Sequence, residues 1–312
     1  MLKFSKFIHS IFAVLLPSLY ARYYYKKVTN RRLDLSKPKD YYEKVQWLKV
    51  YSDTSQWTEL ADKVKVRKYV EGCGLMDILV ELYGVWTNSN DIDFDFLPEK
   101  FVLKTNNGCG KNLFIQNKAE VNFYQIRGQL NKWLKEKDGL VSFQPHIWNI
   151  ERKILAEEFL FDDYNDSLSS SIIDYKFFCI NGEPEIVNVI YDRDNKIIGA
   201  GPSESKVSRR EQFYDLNWNL RPDILRDPSI IDQKIHIPVP SGFNTMLEIC
   251  RILAKPFPQV RVDLYEVNKK VYFGEMTFTP GGMNDFTDEF ALQMGKKINL
   301  TDVRLREKLF II

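Results

Sequence analysis

Three charged side chains lie in segments that are otherwise apolar or aromatic: Lys176 in DYKFFCI, Asp263 in VRVDLY two residues after Arg261, and Glu275 in YFGEMTF. An ionised group is costly to bury alone, so carboxylates in such segments need cations beside them. Magnesium is one such cation, since it takes oxygen ligands and commonly bridges one or two carboxylates to the phosphates of a nucleotide. For Asp263 and Glu275 to share an ion they must project from one face of the hairpin that joins them. Side chains alternate along a strand, so this requires an odd-numbered loop such as Val267 to Lys269; a two-residue loop at Asn268-Lys269 puts the two acids on opposite faces. Thr277, two positions beyond Glu275, shares its face. The competing reading is a charged, solvated face on an edge hairpin.

A second candidate is FVLKTNNGCGKN. Phe101, Val102 and Leu103 suit a buried strand, which stops at Lys104 and gives way to a polar, glycine-rich run too irregular to continue a sheet. Backbone N–H groups freed by Gly108 and Gly110 can wrap an anion while Lys104 and Lys111 supply positive charge. The same stretch reads equally as the turn of a β-hairpin with Leu113-Phe114-Ile115 returning, and both can hold at once. It lacks GK[ST] and a following helix, so it is not a P-loop.

The elements that must position these groups follow a mixed plan. Residues 39–70 read as helices whose many charges look like solvated faces, and 120–138 as a helix with Phe123, Ile126, Leu130, Trp133 and Leu134 on one side. Strands are expected at Ile154–Leu160, Tyr175–Asn181 and Glu185–Tyr191, the last two joined by an Asn181-Gly182 turn. FDDYNDSLSSSIIDY and residues 194–211 read as surface insertions, the second able to cover a site. A helix over Ser241–Lys255 and two strands, VRVDLYEV and KVYFGEMTF, complete an α+β chain built on antiparallel hairpins.

Bulk properties exclude more than they suggest. The 312 residues are 44% hydrophobic and carry 44 basic against 42 acidic side chains, so two or more lobes are expected and no nucleic-acid partner is. Cys73, Cys109, Cys179 and Cys250 lie far apart, which argues against a zinc site or disulfide framework and fits a reducing compartment. His9, His146 and His236 are too scattered for HExxH and make a serine hydrolase unattractive. At the amino terminus, Phe4, Phe7, Ile8, Ile11, Phe12, Leu15, Leu16 and Leu19 form a helical stripe, with Pro17 expected to strain its last turn. Basic and aromatic residues follow, from Tyr20 to Arg32. Two readings stand: a helix lying on an anionic membrane, or one packed on its own domain.

FVLKTNNGCGKN, ILAEEFL, DYKFFCINGEPE, VRVDLYEV and VYFGEMTFTPGG occur in the order and approximate spacing of the ATP-grasp superfamily. The chain resembles in particular its teichuronopeptide-biosynthesis (TupA-like) branch, in which EKVQWLKVY, LADKVKVRKYV and FYDLNWNLRP also find counterparts. The likeness runs from about Leu35 to Thr287. It implies two α+β lobes with antiparallel sheets holding a nucleotide between them, and the expected division is an amphipathic, basic segment 1–34, a helical or α+β region 35–100, a small clamping lobe 101–160 with the glycine-rich loop and a large lobe 161–312 with the metal and phosphate site.

The resemblance also implies roles. Lys104 and Lys176 would contact ATP phosphates, and the loop from Asn106 and Asn107 through Gly108 and Gly110 to Lys111 would cover them as a flexible lid. Glu157 and Glu158 would meet adenine and ribose, Arg261 would steady developing charge, and Asp263, Glu275 and Thr277 would hold Mg2+. Many ATP-grasp ligases have an asparagine where this chain has Thr277, a poorer ligand that leaves the metal count open. The implied reaction is ATP-dependent joining of a carboxylate to an amine, with a uronic-acid-containing surface-glycan precursor as the carboxylate; the cysteine pattern and the amphipathic, basic amino terminus add the expectation of a cytoplasmic location, peripheral on the inner face of the plasma membrane. The rivals are a glycosyltransferase using Asp91, Asp93 and Asp95 in DIDFD, a kinase with a hydroxyl acceptor, and a non-catalytic glycan-assembly protein.

Overall fold

The computed structural model describes residues 9, 12–108, 110–140, 142–161, 169, 171–193, 197–198, 209–281 and 284–306. Phe4, Phe7, Ile8 and Ile11 of the apolar stripe, Cys109, most of FDDYNDSLSSSIIDY and most of the 194–211 segment lie outside the described residues.

Among the described residues ten strands form two five-stranded sheets. The first has the order β1-β4-β2-β3-β7, from β1 (Leu82–Trp86), β2 (Phe101–Thr105), β3 (Asn112–Ile115), β4 (Ile154–Glu158) and β7 (Ile197–Ile198). The second has the order β10-β9-β5-β6-β8, from β5 (Asp174–Ile180), β6 (Glu183–Tyr191), β8 (Arg210–Tyr214), β9 (Gln259–Val267) and β10 (Lys270–Thr277). All pairings are antiparallel except β3 with β7. The β2–β3 hairpin places the glycine-rich stretch at its turn, and Asn181-Gly182 joins β5 to β6 with φ of 49° and 87°, as the turn chemistry predicts.

The helices are α1 (Pro17–Thr29), α2 (Tyr41–Tyr51), α3 (Ser55–Leu60), α4 (Val66–Gly72), α5 (Phe123–Leu134), α6 (Pro145–Trp148), α7 (Phe243–Ala254) and α8 (Asp288–Lys297). Their ends follow local chemistry. Asp40 caps α2 by accepting from the Glu43 N–H, while the Glu43 carboxylate accepts from the Lys39 N–H at 2.8 Å, satisfying donors that the first turn leaves open. Residues 12–15 are helical, the run breaks at Leu16, and Pro17 opens α1 in its first turn, where a missing N–H costs nothing. Among the described residues no helix is long and apolar enough to cross a membrane.

One face of the second sheet carries Tyr175, Phe177, Val262, Leu264, Val271 and Phe273 into a core closed by Met246, Ile249 and Leu253 of α7. On its other face Phe178 and Ile180 pack with Tyr20 and Tyr25 of α1 and Tyr41, Tyr42 and Val45 of α2. The described part of the amino-terminal helix is therefore packed on the domain along one side, while Leu15, Leu16 and Leu19 remain exposed. Residues 39–70 depart from a solvated surface: Lys49 is only 2% exposed.

Candidate active site

Alternation along three adjacent strands brings the ionised groups together. Lys176 on β5 lies directly across from Asp263 on β9, which lies directly across from Glu275 on β10. In the next row Arg261 pairs with Thr277. The hairpin is not the one expected: Val267 pairs with Lys270, so the loop is the two-residue Asn268-Lys269, with φ of 51° and 65°. That loop alone would separate the acids. A bulge restores them, because Phe273 pairs with Leu264 and Glu275 with Asp263, leaving Gly274 as an extra residue that shifts the alternation by one.

The result is a dense ionic cluster. Arg261 donates Nε to Asp263 Oδ1 at 2.6 Å and a terminal nitrogen to Asp263 Oδ2 at 2.7 Å, to Glu275 at 3.3 Å and to the Thr277 hydroxyl at 3.1 Å. Lys176 donates to Asp263 Oδ2 and lies 3.5 Å from Asp174, two residues earlier on the same face; Arg193 also donates to Asp174. Lys63 closes the cluster, 3.4 Å from Glu275 and donating to the Gly108 carbonyl at 3.1 Å. Burial favours the neutral form of Glu275, but Lys63, Lys176 and Arg261 outweigh it and hold the carboxyl at about 2. Burial likewise opposes the charge on Arg261, yet Asp263, Glu275 and Asp174 raise it further above its ordinary value. Asp174, followed by burial, raises the Tyr265 hydroxyl well above its usual range.

Between the two sheets a cleft of about 910 Å³ is lined from the first sheet by Lys104, Asn112, Glu157 and Glu158, and from the second by Asp174, Tyr265, Phe273 and Gly274. Lys63, Arg67 and Arg193 also line it, so the ionic cluster borders the cleft directly. Lys104 donates to Glu157 at 2.5 Å, with Arg67 at 3.8 Å from the other oxygen. Leu79, Val102, Leu160 and Ile172 add apolar walls, giving the composition of a small-molecule site.

The structure thus gathers Lys104, Glu157 and Glu158 on one wall and Lys176, Arg261, Asp263, Glu275 and Thr277 beside the other. It does not bring the loop side chains there. Asn106 is fully buried, donating to the Glu151 carbonyl at 2.9 Å and accepting from the Lys153 N–H at 2.7 Å. Asn107 and Lys111 both donate to Asp138, at 2.9 and 2.5 Å. Gly108 and Gly110 have φ of 75° and 73°, the left-handed conformation that glycine tolerates. Asp91, Asp93 and Asp95 are exposed, and Asp93 caps its own turn by accepting from the Asp95 N–H. Sequence reading missed Lys63, Arg67, Asp174 and Arg193. Asp174 had a signal, its two-residue spacing from Lys176; Lys63 and Arg67 lie in LADKVKVRKYV, a segment with family counterparts, but no spacing singled them out, and Arg193 had no signal.

Among the described residues no three His, Cys, Asp or Glu side chains gather in a form that could hold a metal. The available donors are the two carboxylates and the Thr277 hydroxyl. These hard oxygens would suit an ion of the Mg2+ type, and to hold one each acid would have to give up a contact with Lys63, Lys176 or Arg261.

Comparison with curated protein sequences gives no match. Among solved structures the chain is similar to D-alanine–D-alanine ligase from Bacillus anthracis, at 13% identity over 80% of this chain and 70% of that one, with a TM-score of 0.46. It is also similar to the VanG D-Ala:D-Ser ligase from Enterococcus faecalis, at 13% identity over 80% and 63%, TM-score 0.43. A third likeness is to the L-amino acid ligase from Bacillus licheniformis, at 12% over 73% and 45%, TM-score 0.43. The family description "TupA-like ATPgrasp" matches residues 43–299, which include the whole ionic cluster and every residue lining the cleft. The chain therefore belongs to the TupA-like ATP-grasp family.

Proposed function

We propose that the protein is an ATP-dependent carboxylate–amine ligase acting through an acyl phosphate. One observation carries the reading: Lys176, Arg261, Asp263 and Glu275 converge on a single sheet face beside a cleft whose opposite wall holds Lys104. Among the described residues no cysteine or serine nucleophile belongs to this cluster, so the proposed chemistry is charge stabilisation and positioning.

In the proposed cycle a substrate carboxylate oxygen attacks the γ-phosphorus of ATP, and the bond from that phosphorus to the β–γ bridging oxygen breaks to release ADP. The amine nitrogen then attacks the acyl carbon of the acyl phosphate, expelling inorganic phosphate and losing a proton as the amide forms. Lys104 and Lys176 bind phosphate oxygens, exchanging contacts with Glu157 and Asp263. Glu157 and Glu158 face the nucleoside. Arg261 stabilises negative charge on the transferring group. Asp263, Glu275 and Thr277 would hold Mg2+, which would supply neutralisation of phosphate charge. The backbone of the Asn106–Lys111 loop covers the phosphates.

The family suggests a uronic acid of a surface-glycan precursor as the carboxylate. Leu15, Leu16 and Leu19, exposed at 56%, 46% and 51%, lie before and at the start of helix α1, which carries Lys26 and Lys27 in its last turn, and this combination of exposed apolar and basic residues supports contact with the inner face of an anionic membrane. ADP release measured with every pairing of uronic acids and amino acids tests the ligase reading, which expects release only when both substrates are present. Release with a hydroxyl acceptor alone would identify a kinase. Heat protection by a uridine sugar nucleotide but not by ATP with magnesium would identify a glycosyltransferase, and no nucleotide protection at all would favour a scaffold.

A further inference from the structure

A second cavity, of about 550 Å³ counting the open space at its mouth, lies among α1, α2, the 142–144 segment and the chain leaving β10. It sits at the end of the charged row. Tyr265, Asp263, Arg261 and Gln259 occupy alternate positions of β9, and Tyr265 lines the nucleotide cleft. At the other end Gln259 accepts from the Tyr41 hydroxyl at 3.3 Å, and Tyr41 lines the second cavity. Thr279, two residues past Thr277, also lines it and accepts from Gln144 at 2.8 Å.

The wall of this cavity contains Lys49, whose residue is 2% exposed. Its ammonium has no carboxylate and no hydrogen-bond acceptor among the described residues; its neighbours are the Phe143 ring, 5.1 Å to the centroid, and the Tyr24 ring, 6.0 Å. Burying a lone ammonium is costly, and an aromatic face offsets only part of the cost. The other titratable groups around it are uncharged at neutrality. Burial raises Tyr24, Tyr41 and Tyr42, and burial, with the charge of Lys49, lowers His146 to about 3. Burial also lowers Lys49 itself to about 7. Around this single cation stand hydroxyl and amide groups of Ser142, Gln144 and Thr279.

We propose that this cavity binds a small organic carboxylate, with Lys49 as its counter-ion, at the end of the charged row away from the nucleoside. The site lies where a phosphoryl acceptor must approach; that assignment of purpose rests on the ligase reading, whereas the binding itself does not. An anion brought to Lys49 favours the ammonium, so ligand binding at pH 8 takes up a proton.

The test follows the full chain, carbon-13 labelled at lysine Cε, by NMR while glucuronate, alanine and glutamate are added, each against its neutral amide or glucose counterpart, with inorganic phosphate as a further arm. Isothermal calorimetry at pH 8 in buffers of different ionisation enthalpy runs in parallel. One lysine signal, missing in Lys49→Met, is expected to titrate near neutrality and to move up by about one pH unit or more with at least one carboxylate and with no neutral counterpart. Carboxylate binding should fall about tenfold or more in Lys49→Met. A Lys49 signal that titrates in the ordinary lysine range without ligand overturns the proposal, as does carboxylate binding unchanged in Lys49→Met. Absence of binding by all three carboxylates, or a response to phosphate alone, overturns it too. Heat protection by ATP with magnesium is measured on both proteins. It reports that Lys49→Met is folded, and its loss from both would refute the nucleotide reading while leaving the Lys49 result to stand or fall alone.

Discussion

Deleting Gly274 tests whether the bulge is what places Glu275 in the site. Along β10 and the residue after it the buried side chains run Val271, Phe273, then Met276, Phe278, at 6%, 5%, 2% and 0% exposure, so the core phase changes once, at Gly274. Without the extra residue the two halves cannot both keep their faces. If the near half turns over, Val271 and Phe273 leave the core; if the far half does, Met276 and Phe278 leave it and Glu275 and Thr277 enter. Either route exposes two large apolar side chains, at about 1.5–3 kcal/mol each, for a loss of about 3–6 kcal/mol. That is a large share of the roughly 5–15 kcal/mol that holds a domain together. The Asn268-Lys269 turn, with both residues at positive φ, fixes the near register and favours reversal of the far half. Gly274→Ala keeps the residue count. Its added carbon meets the Asp263 carbonyl oxygen and the Tyr265 ring at 3.0 Å, a contact that small shifts relieve at about 1 kcal/mol. Urea midpoints and ATP–magnesium heat protection are expected to separate the two: the alanine variant stays near wild type in both, and the deletion loses both. A deletion variant within about 1 kcal/mol of wild type by urea unfolding, with nucleotide protection intact, refutes the register argument.

Three further outcomes are expected. Asp138→Asn removes the carboxylate that accepts from Asn107 and Lys111, while Glu136 remains 3.2 Å from Lys111, so amide exchange over residues 106–111 should quicken about tenfold with only a small change in the global midpoint; unchanged exchange would show that Asp138 does not brace the loop. Thr277→Asn replaces a hydroxyl with a carbonyl donor beside Glu275 and is expected to lower the magnesium concentration needed for half-maximal nucleotide protection several-fold, an expectation that an unchanged or higher requirement would contradict. Lys49 titrates at about 7 when folded against 10.5 as an ordinary lysine, so between those values the unfolded chain binds the extra proton and wild-type stability rises with pH, by up to about 1.4 kcal/mol per unit. Lys49→Met lacks that slope: it should be the more stable protein at pH 7 and converge with wild type towards pH 10, and parallel stability profiles would refute the buried, depressed ammonium.

Much of this site was legible because strands expose their logic through alternation. Charged residues at positions 176, 261, 263 and 275, each flanked by apolar neighbours, could only belong to sheet faces meeting something polar, and the structure sets them on one face. The error at the hairpin came from counting parity through the loop alone. The remedy was present in the residues themselves, since Val271 and Phe273 occupy odd positions and Met276 and Phe278 even ones, with a glycine at the change. Asp174 was readable by the same rule applied one step towards the amino terminus.

Lys49, Lys63 and Arg67 were not readable, and the reason is physical. On a helical or turn-rich stretch a lysine facing solvent and a lysine facing a neighbouring lobe have the same local pattern, because which face is covered depends on what packs there from far along the chain. Lys63 makes the point: among the described residues its ammonium meets the Gly108 carbonyl and the Glu275 carboxylate, one from the first sheet's hairpin turn and one from the second sheet's last strand. No window around residue 63 contains either. A single ammonium therefore ties the glycine-rich loop to an acid of the proposed ion site, and any cation that takes Glu275 must compete with the lysine that also holds the loop.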